Sequence, residues 1–537
     1  AATSTATGTV HHDLVVRIEP SEHRIQVVDR VNFAEAVTAD EGGAYRFILH
    51  AGLEPRVATP GWRLQLQEGP VEAGFLGINA TTDTVPENVP LEAFLLLPAD
   101  DASGPVELVY GGVIHHELAT QGEEYQRSFS ETPGIIDERG VFLAGTSFWV
   151  PTFGDGLMTF DLEVGGLRPP WDAVSQGRRT RHEVDGEGVR STAWSLEHPT
   201  EEVYLIAGPW HQYGREAGDV EIFAFLRDAD PALAQKYLDA TVRYLELYQG
   251  MLPPYPYASF ALVENFWETG YGMPGFTLLG PRVIRFPWIL TSSYPHELLH
   301  NWWGNSVYVD FESGNWCEGL TAYMADHLFA EQRGEGATYR RATLKKFTDM
   351  VSAGEDFPLA EFGSRHSAAS EAVGYGKSLM LYHMARRAVG DEAFRAALSL
   401  FDREHRFSRA SFSDIAEAFT DETGGDWVPF VEEWVRRTGA PQFEIHEARV
   451  EEGAPGEAPW RVAVHLRQVQ KEEPFPVTVP VAVTIEGQEE PIWAEAGSCA
   501  RDCIVEVPCS ARPLRVDIDP AFDVMRRLDP LEVPPAL

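Results

Sequence analysis

The hydrophobic positions along the chain change their period twice and so mark three regions. Between residues 9 and 212, short apolar runs are separated by Gly, Pro, Asp and Glu, a pattern typical of β-strands. From about residue 219 the apolar residues recur at helical spacing, and the first such segment ends near Gly250. Helical spacing continues through 291–440, and strand patterns return after Pro441, as in 460–464 and 477–481.

This order of strands, then helices with a few strands, then strands indicates separate domains rather than one parallel sheet. A length of 537 residues also exceeds what one hydrophobic core usually supports. We therefore predict a multidomain α+β protein. Its predicted parts are an N-terminal β-rich domain over residues 1–215, a mixed domain over 216–440 and a C-terminal β-domain over 441–537.

Charge and hydropathy exclude several classes of partner. The chain has 82 acidic and 43 basic residues, a net charge of −39, which would repel nucleic acid and anionic membrane surfaces. No window approaches 18 uncharged apolar residues, so no membrane-spanning helix is expected. The first residues do not read as a signal peptide, although they fit the mature end left after one is removed.

Four cysteines are few for this length. Cys317 stands alone, whereas Cys499, Cys503 and Cys509 fall close together at a spacing that fits no common zinc motif. One disulfide among the three and buried thiols are both open alternatives. On this basis a periplasmic or secreted location is slightly favoured over a cytoplasmic one.

One short motif carries the chemistry. Residues 296–300 read His-Glu-Leu-Leu-His, and on a helix positions i and i+4 lie one above the other. His296 and His300 can therefore bind one metal ion, and Glu297 is placed to accept a proton from the water on that metal. The alternative is an ordinary surface helix that happens to carry two histidines.

A third ligand strengthens the metal hypothesis. Glu318 lies in an otherwise apolar string, Trp316 to Leu320, at the start of a second predicted helix. Two histidines and one glutamate leave a fourth position of a tetrahedral zinc ion open, which is the arrangement of a catalytic site. The alternative is an exposed carboxylate at a helix start, where the helix dipole favours it.

The chain at this point resembles the gluzincin peptidases of the aminopeptidase N type. The matching strings are 296–305 and 316–320, with weaker matches at 255–257 and at Tyr375-Gly376-Lys377. The resemblance implies a thermolysin-like domain over 216–440, a C-terminal domain of β-sandwich type, and one zinc ion per chain. It also implies that Tyr375 donates a hydrogen bond to the oxyanion of the reaction; a tyrosine packed at a helix start is the alternative.

The segment that should bind the free amine of the substrate departs from this family. Its G-x-M-E-N motif appears here as Gly272-Met273-Pro274-Gly275, without the glutamate, although this backbone can still pair with an extended peptide. Nor does 146–149 supply the family's second amine-binding Gln or Glu. Glu264 and Glu268 are nearby in sequence and are candidates to replace the missing carboxylate, with a surface or loop-bracing role as the alternative.

The sequence thus predicts a zinc metallopeptidase that acts on peptides or proteins, with altered recognition of the substrate N-terminus and endopeptidase activity as one form of it. The first alternative is an ordinary aminopeptidase that uses Glu264 or Glu268 for the amine. A second, from a different class, is a binding scaffold with an inactive zinc site. Side-chain specificity and oligomeric state are not predicted.

Overall fold

Strands dominate the first half of the chain, as the hydrophobic pattern predicts. The computed structural model describes residues 9–34, 43–69, 71, 89–99, 104–120, 130–154, 156–352, 354–453 and 458–532. Two compact units divide the chain: the first comprises Ala1–Tyr308 and His405–Arg409, the second Val309–Glu404 and Ala410–Leu537. This division is coarser than the three predicted domains, whose boundaries stay a prediction.

In the part of the first unit that the structure describes, there are two α-helices and most of the strands of the chain. Its helices are α1 (Pro231–Gln249) and α2 (Ser293–Leu299). Its strands are β1 (Val10–Glu19), β2 (Arg24–Phe33), β3 (Tyr45–His50), β4 (Arg56–Val57), β5 (Trp62–Leu66), β6 (Leu91–Pro98), β7 (Val106–Val113), β8 (Ala119–Thr120), β9 (Ser130–Glu131), β10 (Gly134–Asp137), β11 (Gly140–Leu143), β12 (Met158–Leu167), β13 (Trp171–Val174), β14 (Arg178–Val184), β15 (Arg190–Thr200), β16 (Leu205–Pro209), β17 (His211–Ala217), β18 (Val220–Leu226), β19 (Ser259–Glu264), β20 (Gly270–Met273) and β21 (Phe276–Leu279).

Three sheets of the first unit form its framework. A seven-stranded sheet has the order β14-β15-β12-β1-β2-β7-β4, and a four-stranded sheet has the order β10-β11-β16-β13. A five-stranded sheet, β17-β18-β19-β21-β20, has β18, β19 and β21 parallel to one another. In this last sheet β20 is the edge strand, and it pairs antiparallel with β21 through a two-residue turn between Met273 and Phe276.

A core of aromatic and aliphatic side chains joins these sheets. Phe142 from the four-stranded sheet packs edge-on against Trp267, with ring centres 5.5 Å apart. Phe276 and Leu278 of β21 are fully buried in the same cluster. Burial of side chains of this size contributes on the order of 1.5–3 kcal/mol each, so this core fixes the position of the β20–β21 hairpin.

The second unit is helical and then strand-rich, again as predicted. Short strands β22 (Val307–Val309) and β23 (Ser408–Ala410) lie where the chain passes between units. The helices are α3 (Cys317–Ala322), α4 (Leu328–Gln332), α5 (Gly336–Met350), α6 (Ala368–Glu371), α7 (Ser378–Val389), α8 (Asp391–His405), α9 (Phe412–Thr423) and α10 (Val428–Arg436). Two π-helical turns, Tyr323–His327 and Ala372–Lys377, interrupt this run.

The C-terminal strands of the second unit form two three-stranded sheets. The strands are β24 (Phe443–Glu452), β25 (Trp460–Gln468), β26 (Val477–Ile485), β27 (Ile492–Cys499), β28 (Asp502–Cys509) and β29 (Pro513–Ile518). Their orders are β24-β25-β28 and β27-β26-β29, which agrees with a C-terminal β-domain.

The cysteine alternatives resolve in this C-terminal region. A disulfide joins Cys499 to Cys503, while Cys317 and Cys509 are buried and form no disulfide. Among the described residues, no helix is long and apolar enough to cross a membrane.

Candidate metal and peptide-binding site

Helix α2 carries His296, His300 is the residue that caps its C-terminal end, and the apolar residues of α2 hold it in the first unit. Tyr294, Leu298 and Leu299 are fully buried. The Tyr294 ring packs edge-on against Tyr237 of α1, with ring centres 4.9 Å apart, and its hydroxyl is hydrogen bonded to Thr241 Oγ1 at 2.5 Å. Helix α1 therefore packs against the buried face of α2. This contact, and not the short helix by itself, fixes the orientation of α2.

The imidazoles of His296 and His300, at the C-terminal end of α2, have the geometry of a metal-binding pair. His296 Nε2 and His300 Nε2 lie 3.2 Å apart. His300 Nδ1 lies 2.9 Å from the main-chain oxygen of Trp303, so Nδ1 carries the proton and Nε2 presents a lone pair. Two nitrogens bound to one tetrahedral zinc ion lie ~3.3 Å apart. The residues present therefore fit the metal that the sequence predicts.

Glu297 is adjacent to the edge strand β20. A Cβ added at Gly272 would lie 2.7 Å from Glu297 Oε2 and 3.3 Å from His300 Cβ. Only a residue without a side chain allows the strand to pass this close to the carboxylate. The edge strand β20 thus runs directly past the predicted base, and its pairing with an extended peptide stays a prediction.

Two asparagines that follow His300 fix this hairpin to the helix. The buried Asn301 accepts hydrogen bonds at Oδ1 from the Gly275 N–H at 2.7 Å and from the Tyr255 hydroxyl at 3.1 Å. Asn305 Nδ2 donates to the Gly272 carbonyl at 3.2 Å. The sequence does not predict either role, because amide side chains give no signal about partners that lie far earlier in the chain.

The backbone geometry of the turn explains why Pro274 and Gly275 stand at its centre. Gly275 has a φ of +78°, a conformation that glycine adopts without strain, and Pro274 precedes it as is common in type II turns. The two turn residues, Pro274 and Gly275, carry no carboxylate, so the turn itself supplies no replacement for the glutamate of the family motif. Pro274 and Gly275 thus shape the hairpin, and their role in substrate binding stays a prediction.

Glu318 and Tyr375 form a pair in the second unit. Glu318 lies in the first turn of α3, and the Tyr375 hydroxyl is hydrogen bonded to its carboxylate. Burial, followed by the charge of Glu318, holds the pKa of Tyr375 well above its usual value, so the phenol keeps its proton. Tyr375 is therefore a hydrogen-bond donor beside the third candidate ligand, and its role at the oxyanion stays a prediction.

Close packing holds this pair. A Cβ added at Gly319 would lie 2.2 Å from Ser378 Oγ, so α3 approaches α7 as closely as only glycine allows. The Tyr375 ring packs edge-on against Phe362 at 6.1 Å, and the Arg365 guanidinium lies 5.7 Å from the ring centre. The π-helical turn Ala372–Lys377 carries Tyr375, and such turns are frequent at functional sites.

The two candidate replacements for the amine-binding glutamate have other partners. Glu264 is 1% exposed; its Oε1 accepts from Arg285 Nη1 at 2.5 Å and its Oε2 from the Arg227 N–H at 2.8 Å. Glu268 accepts from the backbone N–H groups of Arg282 at 3.0 Å and Val283 at 3.3 Å. These contacts favour the loop-bracing alternative for both residues.

One further carboxylate was not singled out from the sequence. Glu202 accepts a hydrogen bond from the Tyr204 hydroxyl at 2.7 Å and another from the Gly145 N–H. Burial raises the pKa of Glu202, and the Tyr204 ring packs edge-on against Phe276, the residue after the hairpin turn, at 5.8 Å. Glu202 is therefore a carboxylate close to the candidate peptide-binding hairpin.

The comparison with known protein families agrees with the motif. Residues 291–434 match the peptidase family M1 domain. This segment contains His296, Glu297, His300, Glu318 and Tyr375. The resemblance to the aminopeptidase N-type gluzincins is confirmed, whereas the altered segment 272–275 lies outside the matched residues.

Curated relatives match over part of their length. Aminopeptidase N of Lactococcus lactis subsp. lactis is 24% identical over 278 residues, which cover 46% of this chain and 32% of that protein. Aminopeptidase M1 of Arabidopsis thaliana is 26% identical over 190 residues, covering 32% of this chain and 21% of the relative. The chain thus spans less than two thirds of the length of these relatives.

Solved structures support the fold. The M1 zinc metallopeptidase of Deinococcus radiodurans has a TM-score of 0.58 at 18% identity. The match covers 80% of this chain and 95% of the Deinococcus chain. A mutant of it bound to a Tyr-Ser-Ala substrate has a TM-score of 0.60 at 19% identity, covering 81% and 96%. At this identity the likeness shows the fold alone. It confirms the predicted multidomain α+β class.

Proposed function

We propose that this chain is a zinc metallopeptidase that hydrolyses peptide bonds, with recognition of the substrate N-terminus that differs from the aminopeptidase N pattern. The observation that carries the proposal is the 3.2 Å distance between His296 Nε2 and His300 Nε2 at the C-terminal end of α2, beside a base that faces a glycine of an edge strand. A pair of histidine lone pairs beside a peptide-pairing strand is what metal-assisted hydrolysis of an extended peptide requires.

In this proposal His296, His300 and Glu318 hold one zinc ion. Bound zinc would lower the pKa of its water ligand towards ~7 and polarise the scissile carbonyl. Glu297 accepts the proton of the attacking water and passes it to the leaving amine. Tyr375, which keeps its proton because its pKa is raised, donates a hydrogen bond to the developing oxyanion.

Altered end-recognition follows from the carboxylates around the hairpin. The substrate's free ammonium needs a carboxylate partner when it is buried, because an unpaired buried charge is costly. Both oxygens of Glu264 and of Glu268 already accept hydrogen bonds from Arg227, Arg282, Arg285 and Val283. We propose that substrates with a blocked or internal N-terminal side are accepted, including cleavage within a chain.

An ordinary aminopeptidase is the second candidate. The matched relatives are named aminopeptidases, and the Deinococcus protein is described with a tripeptide substrate. In that case Glu264, Glu268 or Glu202 would have to exchange its present partner for the substrate amine.

One comparison separates the two candidates. Hydrolysis rates are measured for an amino acid anilide and its N-acetylated form, and a mixed peptide library is digested and read by mass spectrometry. Comparable rates and cuts within peptides support altered recognition. A strong preference for the free amine, removed by Glu264→Gln, Glu268→Gln or Glu202→Gln, supports the ordinary aminopeptidase. No cleavage of any peptide would contradict both.

We also propose an exported location, periplasmic or secreted. The Cys499–Cys503 disulfide supports it, because disulfides persist in oxidising compartments. Thiol labelling of the protein taken directly from its cells tests this, and two reactive thiols at Cys499 and Cys503 would contradict it.

A further inference from the structure

A basic cavity lies in the first unit, away from the residues assigned to catalysis. Its volume is about 380 Å³, within the range of small-molecule sites. Three arginines line it, Arg227, Arg282 and Arg285, together with the exposed His211 and the carboxylates Asp228 and Glu264. The proposed cleavage with altered end-recognition does not use this cavity; among its lining residues, Glu264 would bind the substrate amine only in the second candidate function.

The topology of the five-stranded sheet explains why these residues meet. Strands β18, β19 and β21 are parallel neighbours, so their carboxyl ends lie at one edge of the sheet. Arg227 follows β18, Glu264 ends β19, and the loop with Arg282 and Arg285 follows β21. In open sheets with parallel strands, ligands bind in the crevice outside the carboxyl ends.

The positively charged side chains that line the cavity outnumber the negatively charged ones. The buried Glu264 carboxylate is bound to Arg285 Nη1 and to the Arg227 N–H, so the negative charge of Glu264 compensates the positive charge of Arg285. Asp228 is 89% exposed on its side chain, and its carboxylate lies 4.0 Å from Arg285 Nη2. Among the described residues, neither Arg227 nor Arg282 forms an ion pair through its guanidinium.

A local excess of positive charge is unusual in this chain. Acidic residues outnumber basic ones by 82 to 43, so carboxylate partners are abundant. The Arg227 guanidinium has one described hydrogen bond, from Nη1 to the Arg139 carbonyl at 2.9 Å. Burial lowers the pKa of Arg227 more than Glu264 and Asp228 raise it, so its charge is under-compensated.

We propose that this cavity binds a small multivalent oxyanion of the phosphate type, held by the guanidinium groups of Arg227 and Arg282. The planar, forked guanidinium donates two parallel hydrogen bonds to such oxygens. Arg285 is held in place by Glu264 and completes the positive wall. Both inorganic phosphate and a phosphate ester offer this chemistry.

Isothermal titration calorimetry tests the proposal on the full chain. The probes are inorganic phosphate, pyrophosphate, glycerol phosphate and citrate. We expect a phosphate-bearing probe to bind, and Arg282→Gln and Arg227→Gln each to weaken that binding by roughly tenfold or more. Binding of glycerol phosphate in preference to inorganic phosphate would identify an ester as the source, and the reverse would identify the free ion.

Controls keep the test decisive. Arg333→Gln, which removes an exposed ion pair with Glu335 in the second unit, should leave the affinity unchanged. Slower amide exchange in residues 281–285 on addition of pyrophosphate places the ligand in the cavity even if Arg227→Gln folds poorly. The proposal is overturned if no phosphate probe binds, if only citrate binds, or if both arginine variants bind as well as the unmodified protein.

Discussion

Gly272 lies so close to Glu297 that a methyl group added at Gly272 would be 2.7 Å from Glu297 Oε2. The substitution Gly272→Ala should therefore displace the carboxylate, and a misplacement of about 1 Å costs on the order of 10²-fold in rate. We expect kcat for peptide hydrolysis to fall by this order while bound zinc, measured by mass spectrometry, is unchanged.

The same strand supplies the control for this prediction. A Cβ at Gly270 meets nothing within 4 Å, so Gly270→Ala should retain the activity of the unmodified protein. Equal activity of Gly272→Ala and Gly270→Ala would show that the Glu297 carboxylate is not required where the structure places it.

Tyr375→Phe tests the proposed oxyanion donor. Removing one such donor costs on the order of 10²–10³ in kcat, with little change in KM because the bond forms in the transition state. Tyr339→Phe, which alters a half-buried tyrosine elsewhere in the same unit, should leave kcat unchanged. If Tyr375→Phe changes KM alone, the hydroxyl contributes to binding and not to the reaction.

Asn301 links the hairpin to the helix, and its removal should loosen both. Asn301→Ala leaves the Gly275 N–H and the Tyr255 hydroxyl without this acceptor, which costs about 1–3 kcal/mol of unfolding free energy. Because the hairpin is the proposed peptide-binding strand, KM should also rise. Urea unfolding and steady-state kinetics measure the two effects, and a variant with normal stability and KM would contradict this role.

Acid should weaken the first unit through His50. Burial, then the neighbouring His116, lowers the pKa of His50 from 6.5 to about 4, since the folded protein holds the imidazole neutral. His50 Nδ1 accepts from the Gly52 N–H at 3.0 Å, a bond that protonation at Nδ1 removes.

The sign of the pH effect follows from this lowered pKa. Between pH 6.5 and about 4 the unfolded chain binds a proton that the folded chain does not, so unfolding free energy falls as the pH falls. One proton corresponds to about 1.36 kcal/mol per pH unit. Urea unfolding at several pH values should show a shallower slope for His50→Gln and the original slope for the exposed His446→Gln; equal slopes for all three proteins would contradict the assignment.

The sequence predicts the site where its chemistry is local. The i, i+4 spacing of His296 and His300 is a property of a single helix, and the Nε2–Nε2 distance of 3.2 Å agrees with it. The β, α, β order is likewise readable from hydrophobic period, because each element buries one face.

The sequence pattern does not reveal contacts between residues that are distant in sequence. Glu264 is a plausible amine-binding carboxylate until Arg285 and the Arg227 N–H are found bound to it. Such contacts follow from the fold and not from composition or spacing. The disulfide is a different case: Cys499 and Cys503 are four residues apart, and their spacing alone does not exclude Cys509 as the partner.

Peptide hydrolysis by zinc-loaded Glu297→Gln, measured beside the unmodified protein, is the direct test of zinc-assisted peptide cleavage. We predict that both hold one zinc ion per chain, that chelation stops cleavage by the unmodified protein and zinc restores it, and that Glu297→Gln lowers the rate on the order of 10²–10⁴-fold. Undiminished cleavage by Glu297→Gln with zinc bound would contradict the account. So would a zinc-loaded, unmodified protein that cleaves no peptide, since that is the behaviour of a binding scaffold.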